Sequence, residues 1–257
     1  MSRAILPLLL SHFVLLASPA LAAPPAPEEI VRRMTERTAL GFDSGTARIN
    51  MVLTAEGSEP TRRRLVTKST TDKDLKRYRV RFQSPADVEG TTLLFRENPG
   101  DQNDDMYLYL PAFKRTRRIA GSQKTGAFMG SDFTYADMEN RDVKSATYRS
   151  LPDVVIDGVE CYHLIAVPRS DELYSKLELW VRKDSFLAQQ IKFFDKKGDF
   201  LKAYRLIEAK RMDGRWVAAR SQMWTKRTSH STVLEVEALD TRVAVSPTEF
   251  SPESLSE

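Results

Sequence analysis

The sequence predicts a mostly β protein built on a single curved antiparallel sheet. Three observations carry this. From residue 47 onward, apolar residues recur with period two in run after run. Asp157-Gly158 and Asp213-Gly214 sit between such runs, and Asp-Gly suits the left-handed backbone of a type I′ hairpin turn. No helical pattern of about 10–15 residues separates the strands, as the crossovers of a parallel sheet would require.

The chain opens on a targeting pattern. Arg3 gives a positive start, Ala4 to Ala17 is almost wholly apolar, and Ala20-Leu21-Ala22 is a small-x-small cleavage site. The run is short for a membrane span and carries Pro7 and His12. No cysteine follows the site, so no lipid anchor is expected there. The expected organisation is a signal peptide over 1–22, cleaved near Ala22, and one domain over 23–257 in the periplasm. No other apolar run approaches the length needed to cross a membrane.

Pro24 to Pro27 reads as a stiff leader. A helix over 28–36 follows, with Glu28 and Glu29 in its first turn and Ile30, Val31 and Met34 on one face. Gly41 and Gly45 end it. Then the period changes. Ala47, Ile49, Met51 and Leu53 alternate with Arg48, Asn50 and Thr54, with Val52 the exception, and Tyr78, Val80 and Phe82 alternate with arginines. Leu93 and Phe95 form a third set, Met106, Leu108 and Leu110 a fourth, and Leu177, Leu179 and Val181 a fifth. Each is a strand with one dry face. Lys196-Lys197-Gly198-Asp199 is a further turn, followed by the runs 200–209, 216–227 and 232–243. About ten strands are expected. Ser251-Pro252-Glu253-Ser254-Leu255 reads as a short capped helical turn.

Residues 119–139 break the pattern. Gly121, Gly126 and Gly130 space out Phe128, Met129 and Phe133 in a connection longer than usual. Glycine permits large backbone changes, and a permanently solvated loop has little reason to carry these apolar groups. The segment 120–133 is expected to act as a flap over a cavity mouth. The alternative is an ordered plug whose aromatic residues belong to the core.

Lysine and arginine number 39 against 35 acids, a formal net charge of +4 spread along the chain. That balance is poor support for a polyanionic partner, and an exported chain is not expected to meet nucleic acid. Cys161 is the single cysteine, so no internal disulfide forms, and its strand context reads as a small buried hydrophobe. Beyond the signal the histidines are His163 and His230, and neither stands at zinc-ligand spacing. No nucleophile elbow and no phosphate-cradling glycine loop is present. No enzyme activity, cofactor or metal is expected. Asp101-Gln102-Asn103-Asp104-Asp105 lacks the glycine and final glutamate of an EF-hand and reads as a polar turn.

Lys114-Arg115-Thr116-Arg117-Arg118 is the densest charge run. Its plain reading is a solvated edge strand, where basic residues deter sheet-to-sheet pairing. Its functional reading is a contact for anionic head groups or an acidic partner through Lys114, Arg115, Arg117 and Arg118. A curved sheet with few covering elements closes into a barrel or leaves a concave apolar surface. Met51, Leu53, Val80, Phe82, Leu93, Phe95, Leu108 and Leu110 are expected on one apolar interior that is in part cavity. Together with Phe128, Met129 and Phe133 they are the candidate ligand-binding residues.

Residues 107–119, Tyr-Leu-Tyr-Leu-Pro-Ala-Phe-Lys-Arg-Thr-Arg-Arg-Ile, and 128–137, Phe-Met-Gly-Ser-Asp-Phe-Thr-Tyr-Ala-Asp, carry a resemblance. They resemble the outer-membrane lipoprotein-sorting family, similar to LolA-like periplasmic carriers, and the likeness extends over most of residues 23–257. The resemblance implies an unclosed β-barrel, a half-pipe of antiparallel strands with a few helices plugging its concave face. It implies a carrier that holds lipid or lipoprotein acyl chains and moves them between membranes; a monomer is expected. An inner-membrane lipid exporter of the resistance-nodulation-division type is the implied partner. The ligand-controlling pattern of the lipoprotein carrier itself is not visible in this chain. Two rival readings stand beside this one: an exported hydrolase acting on lipid or glycan, and a structural subunit with a filled core.

Overall fold

The computed structural model describes residues 24–36, 44–99, 104–139, 143–170 and 173–256. The expected signal peptide (1–22), Gly41 and residues 101–103 of the acidic turn lie outside the described residues.

The helix α1 spans Pro27–Thr35, one residue earlier at each end than its sequence pattern. Proline at the start needs no amide partner, Glu28 and Glu29 face the positive end of the dipole, and Arg32 and Arg33 the negative end. Ile30 and Val31 are its buried residues.

All the strands join one antiparallel sheet. The first meander is β1 (Gly45–Thr54), β2 (Thr61–Asp72), β3 (Leu75–Ser84), β4 (Thr92–Arg96), β5 (Asp105–Leu110) and β6 (Arg115–Arg118). The second is β7 (Ala146–Ile156), β8 (Val159–Pro168), β9 (Lys176–Arg182), β10 (Ala188–Phe194), β11 (Phe200–Met212), β12 (Arg215–Thr225) and β13 (His230–Asp240). The sheet has 13 strands in the order β6-β5-β4-β3-β2-β1-β13-β12-β11-β10-β9-β8-β7. Only the β1–β13 pairing joins the two meanders, with Met51 opposite Leu234 and Ile49 opposite Val236. β6 and β7 remain unpaired with each other, so the sheet is a half-pipe and not a closed barrel. Asp157-Gly158 and Asp213-Gly214 have positive φ at both residues, as a type I′ turn demands.

The sequence pattern missed β2, and it implied β7 and β10 only through the turns that follow them, without bounds. β2 opens on Thr61-Arg62-Arg63-Arg64 and hides its alternation behind charge. β7 is an edge strand interrupted by Pro152, with no fully buried residue. β10 is short and opens on Ala-Gln-Gln. The resemblance implied several covering helices. Among the described residues α1 is the one α-helix, and short 3-10 turns supply the rest of the cover.

The topology dictates where the 119–145 connection runs. It leaves β6 at one edge of the sheet and enters β7 at the other. It passes over the concave face, where Phe128, Phe133, Tyr135 and Met138 join the main core with α1 and the inward residues of the strands. A second, small core lies on the convex face. There Leu94, Tyr107 and Tyr109 pack against Val245, Phe250 and Leu255 of the C-terminal tail. Glu249 of that tail pairs with Lys68 and with Arg79 at 3.2 Å.

Candidate functional site

The concave face has a packed half and a hollow half. Met51, Leu53, Val80, Phe82, Leu93, Phe95 and Leu108 are buried in one core, with Leu110 packed against it. The connecting segment fills the space above them. Phe128 is 1% exposed and meets Phe82 at 5.8 Å and Tyr135 at 5.7 Å between ring centroids. Tyr78 stacks on Phe95 at 4.9 Å and donates its hydroxyl to the Met138 carbonyl. Arg63 donates to the Met129 carbonyl. Short-range bonds stiffen the segment: Phe128 N donates to Phe133 O at 2.7 Å, and Ala127 forms a β-bridge with Thr134. This is the geometry of the ordered plug, with side chains committed to the core and backbone committed to partners.

Two buried acids of the plug anchor it to the second meander. Asp132 accepts hydrogen bonds from Thr232 Oγ1 at 2.7 Å and faces His230 Nδ1 at 2.6 Å. Asp137 pairs with Lys202, accepts from the Tyr174 hydroxyl at 2.8 Å and caps its own turn from the Thr134 amide at 2.7 Å. Lys202 also donates to the Asp132 carbonyl at 3.0 Å. Lys202, Asp132 and Asp137 are all nearly inaccessible to solvent. A buried charge needs a partner and further hydrogen bonds: Lys202 and Asp137 have each other and such bonds besides, and Asp132 is held by hydrogen bonds.

Over the second meander the cover is thinner, and a cavity of about 280 Å³ remains. Its walls come from α1 (Val31, Met34), from β1 (Ile49), and from Leu177, Leu179, Ile191, Phe193, Met223, Leu234 and Val236 across the sheet. Small side chains at Ala146, Ala166, Ala188, Ala218 and Ser221 leave the space open. Tyr204 also faces it, and burial pushes its phenol up to about 12, so it stays neutral. The charged groups at the cavity are paired elsewhere: Asp137 with Lys202, Glu139 with Lys124, and Arg33 with Glu29 at 2.6 Å. Its surface is thus aliphatic and aromatic with its charges neutralised, a setting that suits a hydrocarbon chain.

Of the candidate ligand-binding residues, Phe133 lines this cavity. The structure places Met51, Leu53, Val80, Phe82, Leu93, Phe95, Leu108, Leu110, Phe128 and Met129 under or within the plug and away from the cavity wall. The reason is the plug itself, which fills the trough over β1–β5 and leaves the void beside α1. Sequence reasoning missed Ala166, Ala188, Ala218 and Ser221. Their available signal was small residues interrupting otherwise bulky strands. Lys114, Arg115, Arg117 and Arg118 stand exposed on or beside the edge strand β6 and do not line the cavity.

Other groups with chemical potential have structural partners. His163 Nε2 lies 2.9 Å from Glu178 and its ring stacks on Trp180 at 4.8 Å. Cys161 is buried, and desolvation pushes its thiol up to about 11. Among the described residues no cluster of histidine, cysteine and acids is placed to hold a metal ion.

Comparison with known proteins places this geometry. A family model described only as an uncharacterized protein matches residues 74–257. A DUF1329 family protein from Desulfovibrio piger is 30% identical, with a TM-score of 0.82 over 89% of this chain and 97% of that one. The chain belongs to the DUF1329 family. An outer-membrane lipoprotein-sorting protein domain from Vibrio parahaemolyticus is similar to this DUF1329 chain at 28% identity and a TM-score of 0.81, covering 90% and 98%. A LolA superfamily protein from Nitrosomonas europaea shares the fold at 17% identity and a TM-score of 0.70, covering 89% and 98%. A search of curated protein sequences returns no match.

Proposed function

We propose that the chain is a periplasmic carrier that holds a lipid or lipoprotein acyl chain in the cavity beside α1. The observation that carries this reading is an apolar cavity with neutralised charges on the concave face of a half-pipe. Each buried methylene of a ligand contributes about 0.8 kcal/mol, so one long chain offsets the loss of freedom on binding. The lipoprotein-sorting domain from Vibrio parahaemolyticus has the same architecture and supports the reading. Residues 23–257 act as one domain after removal of 1–22. The chain works as a monomer without covalent chemistry or cofactor, and an inner-membrane lipid exporter loads or unloads it.

Native mass spectrometry with lipid extraction, on protein purified from a periplasm, tests this. A stoichiometric lipid is the expected result. Ala166→Phe puts a ring into the cavity from its wall, and the variant should lose the lipid while keeping its Tm within a few degrees. A chain that carries no lipid, or an Ala166→Phe variant that retains it fully, would refute the reading.

A further inference from the structure

We propose that the hairpin joining β5 to β6 is a docking wedge for an anionic phospholipid bilayer, with Phe113 as its apolar tip. Phe113 is 70% exposed, more than any other large hydrophobic residue described. It occupies the 3-10 turn Pro111–Phe113 at the end of the two strands. A solvent-facing phenyl ring on a flexible loop would fold back onto the sheet, but this turn is stiff. Pro111 sets its entry, Lys114 N donates to Pro111 O at 3.0 Å, and Lys114 leaves it with φ +46. The neighbouring 85–90 turn buttresses it so closely that a Cβ on Gly90 would stand 3.1 Å from Pro111 Cγ. The backbone of the turn is fixed, and from it the ring stands out into solvent.

The charges around the tip fit an anionic surface. Ala112, Lys114, Arg115, Arg117 and Arg118 are all exposed. Arg118 pairs with Asp105 at 2.7 Å, whereas Lys114 and Arg115 make no ion pair among the described residues. Asp87 and Glu89 in the buttressing turn offset part of this charge, and the edge strand remains in positive excess. An exposed aromatic beside unpaired cations is the composition that inserts at a lipid interface, with the ring among the acyl chains and the cations among the phosphates. The same cations blunt the sheet edge against pairing with another strand, which weighs against a protein strand as the occupant. None of these residues touches the cavity, so docking and ligand storage are separate tasks. The wedge deepens the carrier reading, because a carrier has to meet the bilayer it serves.

Co-sedimentation of the mature protein with vesicles tests the wedge. The probes are vesicles of phosphatidylcholine alone and with phosphatidylglycerol. Binding is expected only when phosphatidylglycerol is present, and half-molar salt should weaken it strongly. Each cation near an anionic surface is worth about fivefold in partitioning, so Lys114→Gln with Arg115→Gln should reduce binding about 25-fold. Phe113→Glu should reduce it at least tenfold. Cavity loading, read in parallel with a pyrene-labelled fatty acid, should be unchanged in both variants. Equal binding to the two vesicle types, no binding to either, or variants that bind like the parent would overturn the wedge. A parent protein that docks on vesicles yet never takes up the labelled chain would refute the carrier reading and leave the wedge standing.

Discussion

Lys202 shows how a single side chain ties the plug to the sheet. It enters the concave face from β11, where Asp137 and the Asp132 carbonyl accept its hydrogen bonds and the rings of Tyr174 and Phe193 lie within 5.6 Å and 5.3 Å. The pair is out of water on both sides, so removing one partner strands the other. Lys202→Met should lower stability by about 3–5 kcal/mol, measured by urea unfolding. Adding Asp137→Leu should restore only part of the loss, because it removes the stranded carboxylate but leaves the Tyr174 hydroxyl and the Thr134 amide without their acceptor. A Lys202→Met variant as stable as the parent would mean that water reaches Asp137. The motif segment 128–137 was legible in the sequence as a family mark. Its acids could equally have been ligand contacts, because their partners Lys202, His230 and Thr232 lie about 65 to 100 residues away along the chain.

At the scale of elements, the plug decides which half of the trough is solid. Phe128 fills the gap over Phe82, and the apolar set on β1–β5 becomes core. Phe128→Ala should therefore cost about 3–5 kcal/mol of stability, as for any large ring removed from a core. It should change lipid retention less than Ala166→Phe does. Hydrogen exchange on the lipid-free protein should show strong protection of the Phe128 and Asp137 amides, which are bonded within the segment. Rapid exchange there, slowed by lipid, would revive the flap. Glycine spacing in the sequence suggested mobility at 120–133. Of those glycines, Gly121 and Gly130 adopt positive φ, so they serve fixed turns.

For the whole molecule, the order of the strands matters more than their number. Two meanders, each foldable by local hairpins, meet only where β1 pairs with β13, and the plug bridges their outer edges. Neither meander has its own complete core, since the main cluster draws on α1, the plug and both halves of the sheet. Thermal or urea unfolding followed by separate probes on the two meanders should give one coincident transition. Two resolved transitions would show that the meanders are independent units and that the cavity between α1 and the second meander can form alone.

The sequence by itself determined the strands that alternate, the hairpins that carry Asp-Gly, the leading helix and the family likeness. These depend on neighbours within a few residues, where side-chain period and turn chemistry act directly. It also identified the exposed basic run at 114–118, since a strand of cations has no place in a core. Only the tertiary structure decided which apolar residues face a void. Ala166 and Leu108 each point inward from a strand, and the one local mark between them, side-chain size, does not say what lies above either. The distinction comes from what lies above each one: Phe128 and its neighbours over β1–β5, and the side of α1 over the second meander. That cover is set by β6 and β7 standing at opposite edges of the sheet, a consequence of the β1–β13 pairing between residues nearly 190 positions apart. Close packing on one side and a hollow on the other follow from how far the connecting segment reaches, which is a property of the assembled sheet.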